Sequence, residues 1–98
     1  WHEKADPSWF GFPITTKPGT NKVELTNALE RANIETREIF AGNILAQPGY
    51  SEVDARIVGE LTNTNRVMRD TFFIGVYPGL TDQMIDFTIE QFTNFFRS

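Results

Sequence analysis

The sequence contains no cysteine, which removes disulfides, thiolate metal ligation and a cysteine nucleophile from the chemistry these residues can perform. Its one histidine, His2, has no second imidazole or thiol near it in sequence to complete a metal site, and it reads as a solvated side chain. Basic runs are absent too. With 9 Lys and Arg against 13 Asp and Glu the net charge is −4, so the basic footprint that nucleic acid or an anionic membrane surface requires is missing. No apolar run approaches the ~20 residues of a membrane helix. The glycines are dispersed, and neither a dinucleotide fingerprint, a P-loop nor a Gly-x-Ser-x-Gly elbow occurs. Asp82 and Asp86 stand at helical spacing and read as a solvated helix face rather than a general acid and base.

What is present is aromatic: nine phenylalanines, two tryptophans and two tyrosines in 98 residues. Such side chains dominate core and interface energetics. A chain of this length is a single domain that buries roughly 65% of its unfolded surface. Residues 1–7, "WHEKADP", have neither the basic start nor the apolar middle of a secretory leader; they read as a linker from a longer polypeptide, with the domain itself spanning 8–98.

Along that domain "SWFGFPIT" (Ser8 to Thr15) reads as an edge or bulged strand, because Pro13 cannot donate a ladder bond, and "KPGT" reads as a turn. In "NKVELTNALERAN", Leu25, Ala28, Leu29 and Ala32 repeat at helical spacing. Asn21 with Glu24 resembles a capping box, and Asn33 suits the exit. "IETREIF" (Ile34 to Phe40) predicts a second strand. Ala41 to Glu60 keeps no period, although its apolar residues argue against disorder. "TNTNRVMRD" predicts a short helix with several candidate caps. "TFFIGVYPGLT" is the strongest strand signal, a nearly continuous apolar run that fits a central position covered on both sides. The last helix starts at Thr81 and presents Ile85, Ile89, Phe92 and Phe96 along one face, leaving Phe87 and Phe95 outside the stripe. The fold class is α+β: a small two-layer domain, a three-stranded, mostly antiparallel sheet with helices on one face.

One stretch combines groups that suit a polar ligand: Thr36 to Tyr50, "TREIFAGNILAQPGY". Arg37 carries fork donors for carboxylate or phosphate, and Asn43 and Gln47 offer amides for hydroxyls. Gly42 and Gly49 allow close backbone approach. From the residues alone a second reading stands beside it: Arg37 pairs with Glu35 or Glu60, and the amides tie the loop together.

"DPSWFGFPIT", "TREIFAGNILAQPGY" and "VGELTNTNRVMRDTFFIGVYPGLT" together resemble the C-terminal region of the vitamin B6-dependent nucleotide-sugar 3-dehydratases of lipopolysaccharide O-antigen biosynthesis. The nearest type is the CDP-4-keto-6-deoxy-D-glucose 3-dehydratases, within the DegT/DnrJ/EryC1 superfamily. The resemblance covers nearly the whole chain from Asp6, with one departure: Gly49 separates Pro48 from Tyr50. It implies the small C-terminal domain of a fold type I enzyme, a homodimer of the bacterial cytoplasm whose missing large domain carries pyridoxal or pyridoxamine phosphate and, in CDP-sugar members, a [2Fe-2S] cluster. Neither group is expected on these residues. The implied reaction removes the C3 hydroxyl of a nucleotide-linked 4-keto-6-deoxyhexose. Carried over by position, Arg37 becomes a substrate-facing donor, Phe40 a wall, Asn43 an orienting contact, and Gln47 with Pro48 a rim. An aminotransferase of the same superfamily and a stand-alone protein-interaction module are the competing readings. If the domain packs on a larger one, Trp9, Phe12, Phe87 and Phe95 should be unusually exposed.

Overall fold

The computed structural model describes all 98 residues. Asn21 opens the first helix, α1 (Lys22–Arg31), by accepting from the backbone N–H of Val23 and Glu24. The Glu24 carboxylate meets the Asn21 side-chain amide, not its backbone N–H, so the capping box is only half formed. At the other end Asn33 takes φ +60°, Asn33 N–H donates to Glu30 O, and Ile34 N–H donates to Leu29 O. This is the paired pattern by which a left-handed residue closes a helix.

Three strands follow from the remaining apolar runs: β1 (Gly11–Thr15), β2 (Thr36–Glu38) and β3 (Thr71–Gly75). They lie in the order β1-β3-β2, with both pairs antiparallel. The sheet is therefore wholly antiparallel, the strongest sequence signal takes its centre, and proline-bearing β1 takes an edge. β2 is shorter than the stretch Ile34 to Phe40 predicts. Left-handed Asn33 precedes it and left-handed Phe40 follows it, and neither conformation continues a ladder.

Register fixes the two sheet faces. Phe72 opposes Ile14, and Ile74 opposes Thr36. On this face Phe72 (0% exposed) joins Leu25 and Leu29 of α1, with Ile14, Ile34, Ile74, Phe92 and Phe95 packed around them. Phe73 shares the opposite face with Pro13 and Arg37. Its ring stands 5.7 Å from that of Phe10, and the residue is half-buried. Helix α2 (Thr62–Asp70) runs directly into β3. Its N-cap is Leu61, without a side-chain bond, so the predicted Thr and Asn caps lie inside the helix instead.

Helix α3 (Asp82–Arg97) begins at Thr81, whose hydroxyl accepts from Met84 N–H. Its orientation differs from the stripe read in the sequence. Phe92 and Phe95 pack on the core, whereas Ile85, Ile89 and Phe96 are exposed. Trp9, Phe12 and Phe87 are exposed as well, while Phe95 is not. Only six residues are buried. The accessible surface is 8053 Å², against about 5,700 Å² for a compact protein of this mass. The radius of gyration is 16.2 Å, against about 13 Å for a compact domain of this length.

Candidate functional site

The segment after β2 is built as a clasp on α2. Gly42 N–H donates to Ile39 O at 2.8 Å, closing a tight turn through Phe40 and Ala41. Phe40 sits in that turn at φ +45°, a slot that glycine or asparagine fills without strain. A bulky residue there costs on the order of 1–3 kcal/mol, and the Phe40 ring is 84% exposed, so burial within the chain does not offset it.

Beyond the turn, Asn43 is buried. Its carboxamide donates to Asn65 Oδ1 at 2.7 Å and accepts from Leu45 N–H at 3.1 Å. That second bond starts a single 3-10 turn, Ile44–Ala46. Gln47 Nε2 donates to Ala41 O at 2.8 Å and lies 4.0 Å from Met68 Sδ, and Pro48–Tyr50 forms another 3-10 turn. Both amides singled out in the sequence are thus committed to holding the loop, the tying role left open there. No α-helix or strand appears between Ala41 and Glu60, in keeping with the missing period.

Arg37 is placed apart from these groups. It stands beside Phe73 on the sheet face opposite the core, two-thirds exposed and in contact with the Glu35 carboxylate. Phe40 and Gln47 instead line an open groove of about 380 Å³ with Lys22, Glu38, Gly42 and Met68. The structure therefore brings Phe40, Asn43 and Gln47 into one clasp and leaves Arg37 on the other sheet face, paired with Glu35 as the second sequence reading held.

Lys22 is the residue that the sequence pattern did not reveal. Its side chain is 9% exposed, and its ammonium donates to Glu38 Oε2 at 2.7 Å, Met68 O at 2.9 Å and Thr71 O at 3.5 Å. Those partners lie 16, 46 and 49 positions away, beyond the reach of any local signal. A second tie is smaller. Glu30 accepts from Thr36 N–H at 2.6 Å and Thr36 Oγ1 at 2.8 Å, and these bonds hold its carboxyl below the ordinary glutamate range.

No three His, Asp or Glu side chains converge, and the one covered lysine has its ammonium committed to three oxygens.

Comparison with known proteins agrees with the fold. A model of the DegT/DnrJ/EryC1/StrS aminotransferase family matches residues 1–93. The chain belongs to that family. It is 55% identical over 96 residues to the lipopolysaccharide biosynthesis protein RfbH of Salmonella typhimurium. It is 48% identical over 93 residues to the dTDP-4-dehydro-2,6-dideoxy-D-glucose 3-dehydratase of Saccharopolyspora spinosa. With the GDP-4-keto-6-deoxy-D-mannose 3-dehydratase of Yersinia pseudotuberculosis it shares 33% over 76 residues. These alignments take in 96%, 93% and 74% of this chain but 22%, 20% and 19% of the relatives, so the chain spans about a fifth of their length. A solved structure assigned as a PLP-dependent aminotransferase from Bacillus cereus superposes with TM-score 0.67 at 18% identity, over 81% of this chain and 21% of that one. That likeness establishes the small α+β fold.

Proposed function

We propose that this chain is the small domain, residues 8–98 with a lead at 1–7, of a pyridoxal-phosphate-dependent nucleotide-sugar 3-dehydratase. The substrate class is a nucleotide-linked 4-keto-deoxyhexose that loses its C3 hydroxyl during O-antigen assembly in the bacterial cytoplasm. The observation that carries the reading is identity of about half over nearly the whole chain to RfbH and to a 3-dehydratase. The names of the two 3-dehydratase relatives favour dehydration over amine transfer. The excess surface and exposed aromatics support a domain completed by more polypeptide, in a homodimer.

The coenzyme supplies an electron sink for loss of hydroxide, and any iron-sulfur cluster needs cysteines that this chain lacks; both belong to the remainder of the enzyme. The residues here bind and orient. Arg37 offers its guanidinium to the anionic or hydroxyl-rich part of the substrate once Glu35 gives it up. Phe40 forms an apolar wall, while Asn43 and Gln47 keep the rim in shape.

The test is a chimaera in which this chain replaces the matching fifth of the Saccharopolyspora enzyme, assayed on dTDP-4-dehydro-2,6-dideoxy-D-glucose. Retained turnover, with Arg37→Met raising KM by about tenfold or more, is expected. A chimaera that folds, binds coenzyme and does not turn over overturns the reading.

A further inference from the structure

The clasp raises a question that stability within the chain does not answer: why a fully displayed phenylalanine occupies a left-handed position. The loop is held to α2 at its far end by Asn43 on Asn65 and Gln47 beside Met68. At its near end the β2–β3 ladder stops at Glu38 opposite Phe72, and past that point one charged link adds to it. Glu38, two residues before Phe40, is bound by the Lys22 ammonium, which also grips the carbonyl oxygens of Met68 and Thr71 where α2 passes into β3. A nearly covered ammonium needs such a full set of acceptors, and lysine at the first position of a helix is not required to start it.

We propose that Lys22 is a positioning residue for Phe40: by fastening the Glu38 end of the loop to the α2–β3 junction, it keeps the exposed ring in the strained turn, displayed to the substrate. This rests on the reading of Phe40 as a wall of the sugar site. The ring gains its partner outside this chain, and Lys22 acts only through the backbone between Glu38 and Gly42.

The experiment has two arms. In the 98-residue chain, Lys22→Met is made in the native and in the Phe40→Gly background, and amide exchange is followed at Ala41 and Gly42 with Phe72 as internal reference. Expected is about tenfold faster exchange at the loop in the native background, with Phe72 unchanged, and little effect once glycine has removed the strain. An equal effect in both backgrounds, or none, overturns the proposal. Should Lys22→Met unfold the chain, Glu38→Gln cuts the same link from its exposed end and is read in the same way. In the chimaera, Lys22→Met is expected to raise KM about tenfold with kcat little changed. An active chimaera indifferent to Lys22→Met contradicts the positioning role and leaves the dehydratase reading standing, whereas a folded, inactive parent chimaera defeats that reading while the exchange arm still decides the clamp.

Discussion

A methyl group at position 42 would lie 2.5 Å from Met68 Cβ. Gly42 takes φ +62°, so both backbone and space demand glycine, and the turn presses on the third-last residue of α2. Gly42→Ala is expected to destabilise the chain by about 2 kcal/mol or more. The urea midpoint should fall at an unchanged slope. Met68→Ala in the same chain should recover little, since Cβ and the backbone Cα of residue 68, at 2.5 and 2.8 Å from the added methyl, remain and the backbone strain persists.

Adjacent phenylalanines on α3 should behave in opposite ways. Phe95 packs on Leu25, Leu29 and Phe72, and Phe95→Ala is expected to cost about 2 kcal/mol or more. Phe96 is exposed, and Phe96→Ala should stay within about 0.5 kcal/mol. Thermal melts of the two variants decide it. The reverse order would restore the stripe Ile85, Ile89, Phe92 and Phe96 as the inward face.

Phe72 is the centre of a very small core. Its truncation to alanine is expected to cost about 3–5 kcal/mol, comparable to the whole stability of a marginal domain. Circular dichroism of Phe72→Ala should therefore show loss of the cooperative transition.

The Glu30–Thr36 tie gives a pH dependence of defined sign. The folded-state carboxyl is held low, first by the Thr36 backbone N–H and then by its hydroxyl. Its stabilising contribution is present above the ordinary glutamate range and is lost as pH falls through the folded value. Asp70 is lowered in the same sense by its bond from Arg69. Carboxyl-carbon NMR should find Glu30 titrating below an ordinary glutamate and moving upward in Thr36→Val. Titration at the ordinary value in both proteins would contradict the bond.

Much of this fold is legible locally. The run from Thr71 becomes the central strand, but the cover on both faces that a continuous apolar stretch calls for is only partly met, with Phe72 buried and Phe73 and Ile74 half-buried. Asn21, Asn33 and Thr81 mark helix ends because their side chains or left-handed backbone satisfy groups that a helix leaves open. The facing of α3 is not legible. Phe92 belongs to two overlapping stripes, and the period cannot say which of them meets this core and which is left outside it. The clasp lies further out of reach. Gln47 and Asn43 announce polar capacity, but their partners Ala41, Asn65 and Met68, like those of Lys22, are fixed only when α2 docks beside the loop. Arg37 is legible as a donor and not as a neighbour of Phe73 on the face opposite the core.

The central claim is that these residues shape one wall of a site whose catalytic groups lie in the rest of the enzyme. It is tested most directly by measuring dehydration of dTDP-4-dehydro-2,6-dideoxy-D-glucose, with pyridoxamine phosphate supplied, by the 98-residue chain and by the chimaera side by side. The account predicts turnover by the chimaera and none by the chain alone, whose melting temperature the coenzyme should leave unmoved. Turnover by the isolated chain, or a folded and coenzyme-loaded chimaera without turnover, would contradict it.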